Sequence, residues 1–144
     1  MLTSRLLRIA ALLCALVAVA AVPALAATKN GITPTAPKAG ATVPTGKSPT
    51  FKGRVSGKGQ VWVHVCKSRK RNARGLICSK ESIVKARKKP AGRFQAKPKF
   101  FDFPEFWLNS PGTYYWQAYR IACEGGNLSD CYQEGPIVKF KVAG

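Results

Sequence analysis

Gly112-Thr113-Tyr114-Tyr115-Trp116-Gln117-Ala118-Tyr119-Arg120 places four aromatic side chains in nine positions. Such a run is short of helix formers and fits the pleated, half-buried surface of a β-strand. Pro111-Gly112 ahead of it marks a turn. Side chains alternate along a strand, so Tyr114, Trp116 and Ala118 share one face and Tyr115, Gln117 and Tyr119 the other. The Tyr114 face is expected inside, because that choice leaves the polar Gln117 in solvent. A strand of this composition belongs at the centre of a β-sandwich.

The flanking segments repeat the same period. Residues 137–142 put Val138, Phe140 and Val142 inward and Ile137, Lys139 and Lys141 outward. Residues 61–66 put Val61, Val63 and Val65 on one face and Trp62, His64 and Cys66 on the other. Phe51, Gly53 and Val55 oppose Lys52 and Arg54. Phe94, Ala96, Pro98 and Phe100 oppose Arg93, Gln95, Lys97 and Lys99, and Pro98 calls for an edge or a strand end. Residues 76–85 read as an edge strand. Residues 87–92 read as a basic turn, and residues 101–108, broken by Pro104, as a corner closing the core. Residues 28–50, rich in Thr, Pro, Gly and Ala, form an extended entry segment with a turn at 37–40. About seven short strands result, with no helix and no internal repeat. The expected fold is all-β: a single antiparallel β-sandwich spanning residues 27–144.

The N-terminus stands apart. Arg5 and Arg8 precede an apolar run over residues 9–22, too short for a comfortable membrane span, and Ala24-Leu25-Ala26 follows. This is the pattern of a signal peptide, residues 1–26, cleaved after Ala26; an uncleaved anchor is the competing reading. Cys14 has no lipobox around it. No second apolar run follows, so the mature chain is expected to carry no transmembrane span and to be secreted or associated with the cell envelope. Cys66, Cys78, Cys123 and Cys131 remain, an even set that reads as two disulfides in an oxidising compartment. Of three pairings, Cys66–Cys78 and Cys123–Cys131 is preferred, because each pair brackets a polar, turn-rich loop between apolar runs. A zinc site would lack a CxxC pair and has only His64 to draw on, so neither metal nor cofactor is expected.

The Pro-rich entry, Pro49-Thr50-Phe51, the Val61/Val63/Val65 strand, Leu108 followed by Pro111-Gly112-Thr113-Tyr114-Tyr115-Trp116, and the closing Phe140-Lys141-Val142 together resemble a bacterial secreted fibronectin type III or immunoglobulin-like domain. The resemblance covers residues 32–142. It implies that Tyr114 makes a corner hydrogen bond to backbone, and it implies a scaffold that binds rather than catalyses. The two disulfides and the basic insert between Cys66 and Cys78 depart from the common pattern.

Charge is the strongest compositional signal, and it is uneven. The whole chain has 24 Lys and Arg against 6 Asp and Glu. Residues 66–99 hold thirteen Lys/Arg against Glu81 alone, a net of +12, whereas residues 100–144 hold three against five acids, a net of −2. Such asymmetry points to a polyanionic partner. The expected binding residues are Lys67, Arg69, Lys70, Arg71 and Arg74 in a protruding loop, Arg87, Lys88 and Lys89 in a turn, and Arg93, Lys97 and Lys99, with Lys52 and Arg54 beside them. The loop and the turn are placed at the margins of the sheet that carries Lys52 and Arg93. An anionic envelope polymer, or another polyanion, is the expected partner. No base-reading motif appears, so sequence-specific nucleic-acid recognition is not expected.

A second surface comes from the outward residues Trp62, His64, Tyr115, Gln117 and Tyr119, which could meet a protein or a glycan. Its alternative is a sheet face covered by the entry segment or a loop. Catalysis ranks last, as a small secreted hydrolase or an inhibitor of one. His64, read as a solvated strand histidine, has no acid near it in sequence and no Gly-x-Ser-x-Gly accompanies it. Asp102 and Glu105 flank Pro104, which removes a shared helix face and leaves two exposed acids at a corner. Asn127-Leu128-Ser129 is a formal glycosylation sequon.

Overall fold

The computed structural model describes residues 26–78, 83–98, 108, 110–123 and 131–144. Its strands are β1 (Ile32–Ala36), β2 (Thr42–Pro44), β3 (Phe51–Val55), β4 (Gln60–Cys66), β5 (Ile83–Lys85), β6 (Arg87–Lys89), β7 (Arg93–Ala96), β8 (Gly112–Ile121) and β9 (Tyr132–Ala143). They form two sheets, ordered β1-β3-β7-β6 and β2-β9-β8-β4-β5. The described residues are nearly all β, as the alternation predicts, and β4, β8 and β9 are neighbours in one sheet.

Among the described residues there are nine strands where about seven are expected, because short edge pieces pair where the sequence reads as loop or turn. Residues 87–89 are not a turn: they form β6 against β7, and the reversal falls on Pro90, Ala91 and Gly92. The entry segment contributes an edge strand to each sheet, β1 beside β3 and β2 beside β9. The β2–β9 pair is parallel, so the sandwich is not wholly antiparallel. Of the edge strand expected over residues 76–85, Ile83–Lys85 form β5 and residues 76–78 do not join it, while 79–82 lie outside the described residues.

The inward residues are those the period selects. Phe51 of one sheet meets Trp116 of the other at 5.3 Å between ring centroids and Phe140 at 6.1 Å. Trp116 is fully buried, and its Nε1 donates to the Pro37 carbonyl at 3.1 Å, just where the chain passes from β1 to β2. The Tyr114 hydroxyl donates to the Ser110 carbonyl at 2.9 Å. The polar atoms of these two buried aromatic side chains are thereby paired, as a low-dielectric interior favours.

Two glycines permit close approaches. Gly53 pairs with Phe94 across β3 and β7, and a Cβ there would lie 2.4 Å from the Phe94 ring and 2.7 Å from the Thr33 carbonyl. Gly135 sits where β9 carries one extra residue between the Gln117–Ile137 and Tyr119–Glu134 pairs, a β-bulge. A Cβ on Gly135 would lie 2.8 Å from Ile32 Cγ2 and 2.9 Å from the Ala118 carbonyl.

Gly53→Ala is therefore an overpacking substitution. We expect it to destabilise the domain by about 1–3 kcal/mol, read as a lowered urea midpoint at unchanged slope. An unchanged midpoint would mean that the Phe94 ring can leave Gly53 at no cost.

Candidate functional site

The outer face of the five-stranded sheet is not the open aromatic platform that its alternation suggests. Gln117 is 0% exposed, His64 3% and Tyr119 5%. The expectations of a solvent-facing Gln117 and a solvated His64 are thus overturned, while Trp62 and Tyr115 remain half-buried. The cover is the segment 67–78, tied at its ends by the Cys66–Cys78 disulfide, whose Cα atoms are 6.1 Å apart. Leu76 and Ile77, read from sequence as strand, instead fold down on this face and are buried. Parity along the strand is as expected; what alternation cannot reveal is that both faces of β8 are buried.

Two polar side chains clamp this cover. Gln117 Oε1 accepts from the Ile77 amide at 3.0 Å, and its Nε2 donates to the carbonyls of Gly75 at 3.3 Å and Gly135 at 3.0 Å. His64, paired with Gln117 across the sheet, has Nδ1 at 2.6 Å from the Ile77 carbonyl and 3.1 Å from the Cys78 carbonyl. Carbonyls only accept, so Nδ1 carries the proton of the neutral ring. Nε2 is buried with no partner among the described residues. A second proton would have to sit there, and burial pushes the His64 pKa below its ordinary 6.5, only partly opposed by the two carbonyls. The Tyr119 ring packs on His64 at 4.7 Å, edge to face. Burial, together with the nearby Tyr132, pushes the Tyr119 hydroxyl up to about 12.

The basic loop is docked by its apolar end and exposed along the rest, rather than simply protruding. Lys67, Arg69, Lys70, Arg71 and Arg74 are all exposed. Asn72 shapes the turn: its Oδ1 accepts from the amides of Arg74 and Leu76 at 2.9 and 3.1 Å. The Arg74 guanidinium lies 4.8 Å from the Tyr132 ring centroid, and Lys67 Nζ lies 5.4 Å from that of Tyr114. Such contacts contribute about 0.5–1 kcal/mol each at exposed positions. Glu134, the only acidic side chain among the described residues, pairs with Lys29 Nζ at 2.6 Å. Burial would raise its pKa, but the Lys29 hydrogen bond, its own backbone amide and the charges of Lys29 and Arg71 outweigh that and hold it below 4.5.

The other basic residues occupy the opposite side of the sandwich. On the outer face of the four-stranded sheet, Arg54 stands opposite Arg93, and Arg93 opposite Lys89. Gln95 lies between Lys52 and Arg87 in the adjacent row. Arg93 Nε donates to the Pro90 carbonyl at 3.2 Å, which fixes its guanidinium. An open hollow of ≈ 390 Å³ lies here, lined by Thr35, Lys52, Arg54, Lys89, Arg93 and Gln95 among others. Lys88 is exposed on the edge strand, and Lys97 is exposed just beyond β7. The loop 67–74 is therefore not at the margin of this sheet, as the sequence reading has it, but across the molecule from it. The sequence contains the signal for this: an apolar Leu76-Ile77 pair inside a basic loop that a disulfide closes.

Cys123 pairs with Cys131, their Cα atoms 4.4 Å apart, so both preferred pairings are present. Lys99, Asp102, Glu105 and the Asn127 sequon lie outside the described residues, as does the corner at 101–107. Among the described residues no cluster of three or more His, Cys, Asp or Glu could hold a metal ion, and no helix is long and apolar enough to cross a membrane. No protein-family model and no curated protein matches this chain.

His64 is the only histidine, so it dominates side-chain titration between pH 5 and 7. The unfolded chain takes a proton near 6.5 and the folded chain resists it, so stability should fall as pH drops below about 6.5. Urea midpoints at pH 7.5 and 5.5 should differ in the wild type and converge in His64→Gln; an equal drop in both would exclude His64 as the cause. Gln117→Leu should cost about 1–3 kcal/mol by stranding the Ile77 amide and two carbonyls. Faster hydrogen exchange at Ile77 would report it, and wild-type protection there would refute the clamp.

Proposed function

We propose that the chain is a secreted immunoglobulin-like sandwich that serves as a non-enzymatic binding module for anionic polymers of the cell envelope or extracellular space. Several observations support the immunoglobulin-like reading: the two-sheet strand order, a first segment shared between both sheets, and the Tyr114–Ser110 corner bond. Export rests on the composition of residues 1–26 and is supported by two disulfides.

The observation that carries the binding reading is the row Arg54–Arg93–Lys89. Like charges directly opposite one another on a sheet are destabilising. Here three stand in line across three strands, with Lys52 and Arg87 in the next row, and the only described acidic side chain, Glu134, belongs to the other sheet. A polymer bearing phosphate or sulfate groups would remove that repulsion and release its own counterions. Planar guanidiniums at Arg54, Arg87 and Arg93 suit the bidentate hydrogen bonding such groups offer. The alternative, a protein or glycan partner on the Trp62/Tyr115/Tyr119 face, is weakened by the burial of Tyr119, His64 and Gln117.

The test is retention on heparin and titration with inorganic polyphosphate across a salt gradient. The mature protein should elute well after an equally basic globular control. Arg54→Gln/Lys89→Gln/Arg93→Gln should flatten the plot of log Kobs against log salt by roughly 2, at about 0.7 per lost contact on a flexible polyanion. Elution with the control, or an unaltered slope in the variant, would exclude this face as a binding surface.

A further inference from the structure

The two basic surfaces lie on opposite faces of the molecule. Lys52, Arg54, Arg87, Lys89 and Arg93 stand on the outside of the four-stranded sheet. Lys67, Arg69, Lys70, Arg71 and Arg74 stand on the loop that covers the outside of the five-stranded sheet. We propose that each face engages a separate anionic chain, so that one protein cross-links two polymer strands. This rests on the polyanion reading above and extends it from binding to bridging.

The argument is one of distance and rigidity. Packed sheets are about 10 Å apart. An outward side chain on each side brings the two charge layers to a separation on the order of 20 Å. The Debye length at physiological ionic strength is about 8 Å, so repulsion between anions held on opposite faces is largely screened. Neither charge layer can collapse toward the other. The four-stranded face is fixed by its hydrogen-bonded ladder, and the loop by the Cys66–Cys78 bond, the Asn72 turn and the Gln117 and His64 contacts. A short oligoanion can lie along one face but cannot reach the other without crossing an edge of the sandwich. The chemistry shared by both faces is a strong oxyanion, phosphate or sulfate: five cations stand on the four-stranded face and five on the loop, with Lys85, Lys139 and Lys141 exposed on the sheet that the loop covers.

The experiment uses a sulfated heparin hexasaccharide and, in a parallel arm, a short inorganic polyphosphate, which separate the two sources of oxyanion. Titration calorimetry should give two oligoanions per wild-type protein. The face variant Arg54→Gln/Lys89→Gln/Arg93→Gln and the loop variant Arg69→Gln/Lys70→Gln/Arg71→Gln should each give one. Wild-type protein held on immobilised heparin should capture a second, labelled oligoanion from solution, and neither variant should do so. All three proteins are first matched for urea midpoint and for the Cys66–Cys78 bond, so that lost capture reports charge and not unfolding. A wild-type stoichiometry of one, or second-chain capture by either variant, overturns cross-linking while leaving polyanion binding intact. Wild-type protein that elutes from heparin with the equally basic control overturns the binding reading, and the bridging inference with it.

Discussion

Burial of β8 on both faces is the constraint on which the rest of the structure depends. Trp116 and Ala118 face the gap between the sheets, and Gln117 and Tyr119 face the covering loop. A polar side chain enclosed on such a strand needs partners, because an unpaired donor or acceptor there has no water to fall back on. Gln117 meets this demand with three bonds to backbone on two different segments. In doing so it ties the 67–78 loop and the bulge of β9 to the same strand. Trp116 does the equivalent on the inner face, where its indole holds the Pro37 carbonyl.

That arrangement sets where the charge can go. The loop carries five cations between residues 67 and 74, which repel one another and would favour an extended, mobile excursion. A disulfide closing so short a segment contributes about 3 kcal/mol in the chain-entropy account. The buried Ile77 adds apolar contact, and the Gln117 and His64 bonds add direction. The charges are thereby held as a surface rather than dispersed as a tail. On the other sheet the ladder itself holds them, since Arg54, Arg93 and Lys89 are fixed by register to face one another. His64 sits under the first of these surfaces, where burial disfavours the charged ring and Nε2 has no partner among the described residues for a second proton to bond.

Legibility from sequence follows the reach of each interaction. The inward set, from Phe51 through Val61, Val63, Val65, Tyr114, Trp116, Phe140 and Val142, was readable because side-chain alternation is a local property with period two. How the three longest strands pair was not readable in this way, because alternation gives a strand its faces and not its neighbours. Two short edge strands were not readable either: β2 and β6 have three residues each, too few for a period to declare itself. Gln117 misled because a lone polar residue among aromatics is ordinarily the solvent side of a strand. Only its bonds to Gly75, Ile77 and Gly135, distant in sequence, make the buried position tolerable.

By itself, the amino-acid sequence determined the β character, the core-facing residues, the two preferred cysteine pairings and the concentration of positive charge in residues 66–99. Each of these follows from composition, spacing or short-range alternation. The tertiary structure alone decided that the outer face of β8 is covered, that His64 is buried, and that the basic residues divide between opposite faces. The physical reason is that a loop's resting place depends on which distant surface satisfies its apolar side chains and backbone groups. Gly75 and Ile77 had to find Gln117 and His64, and no pattern along the chain records that meeting.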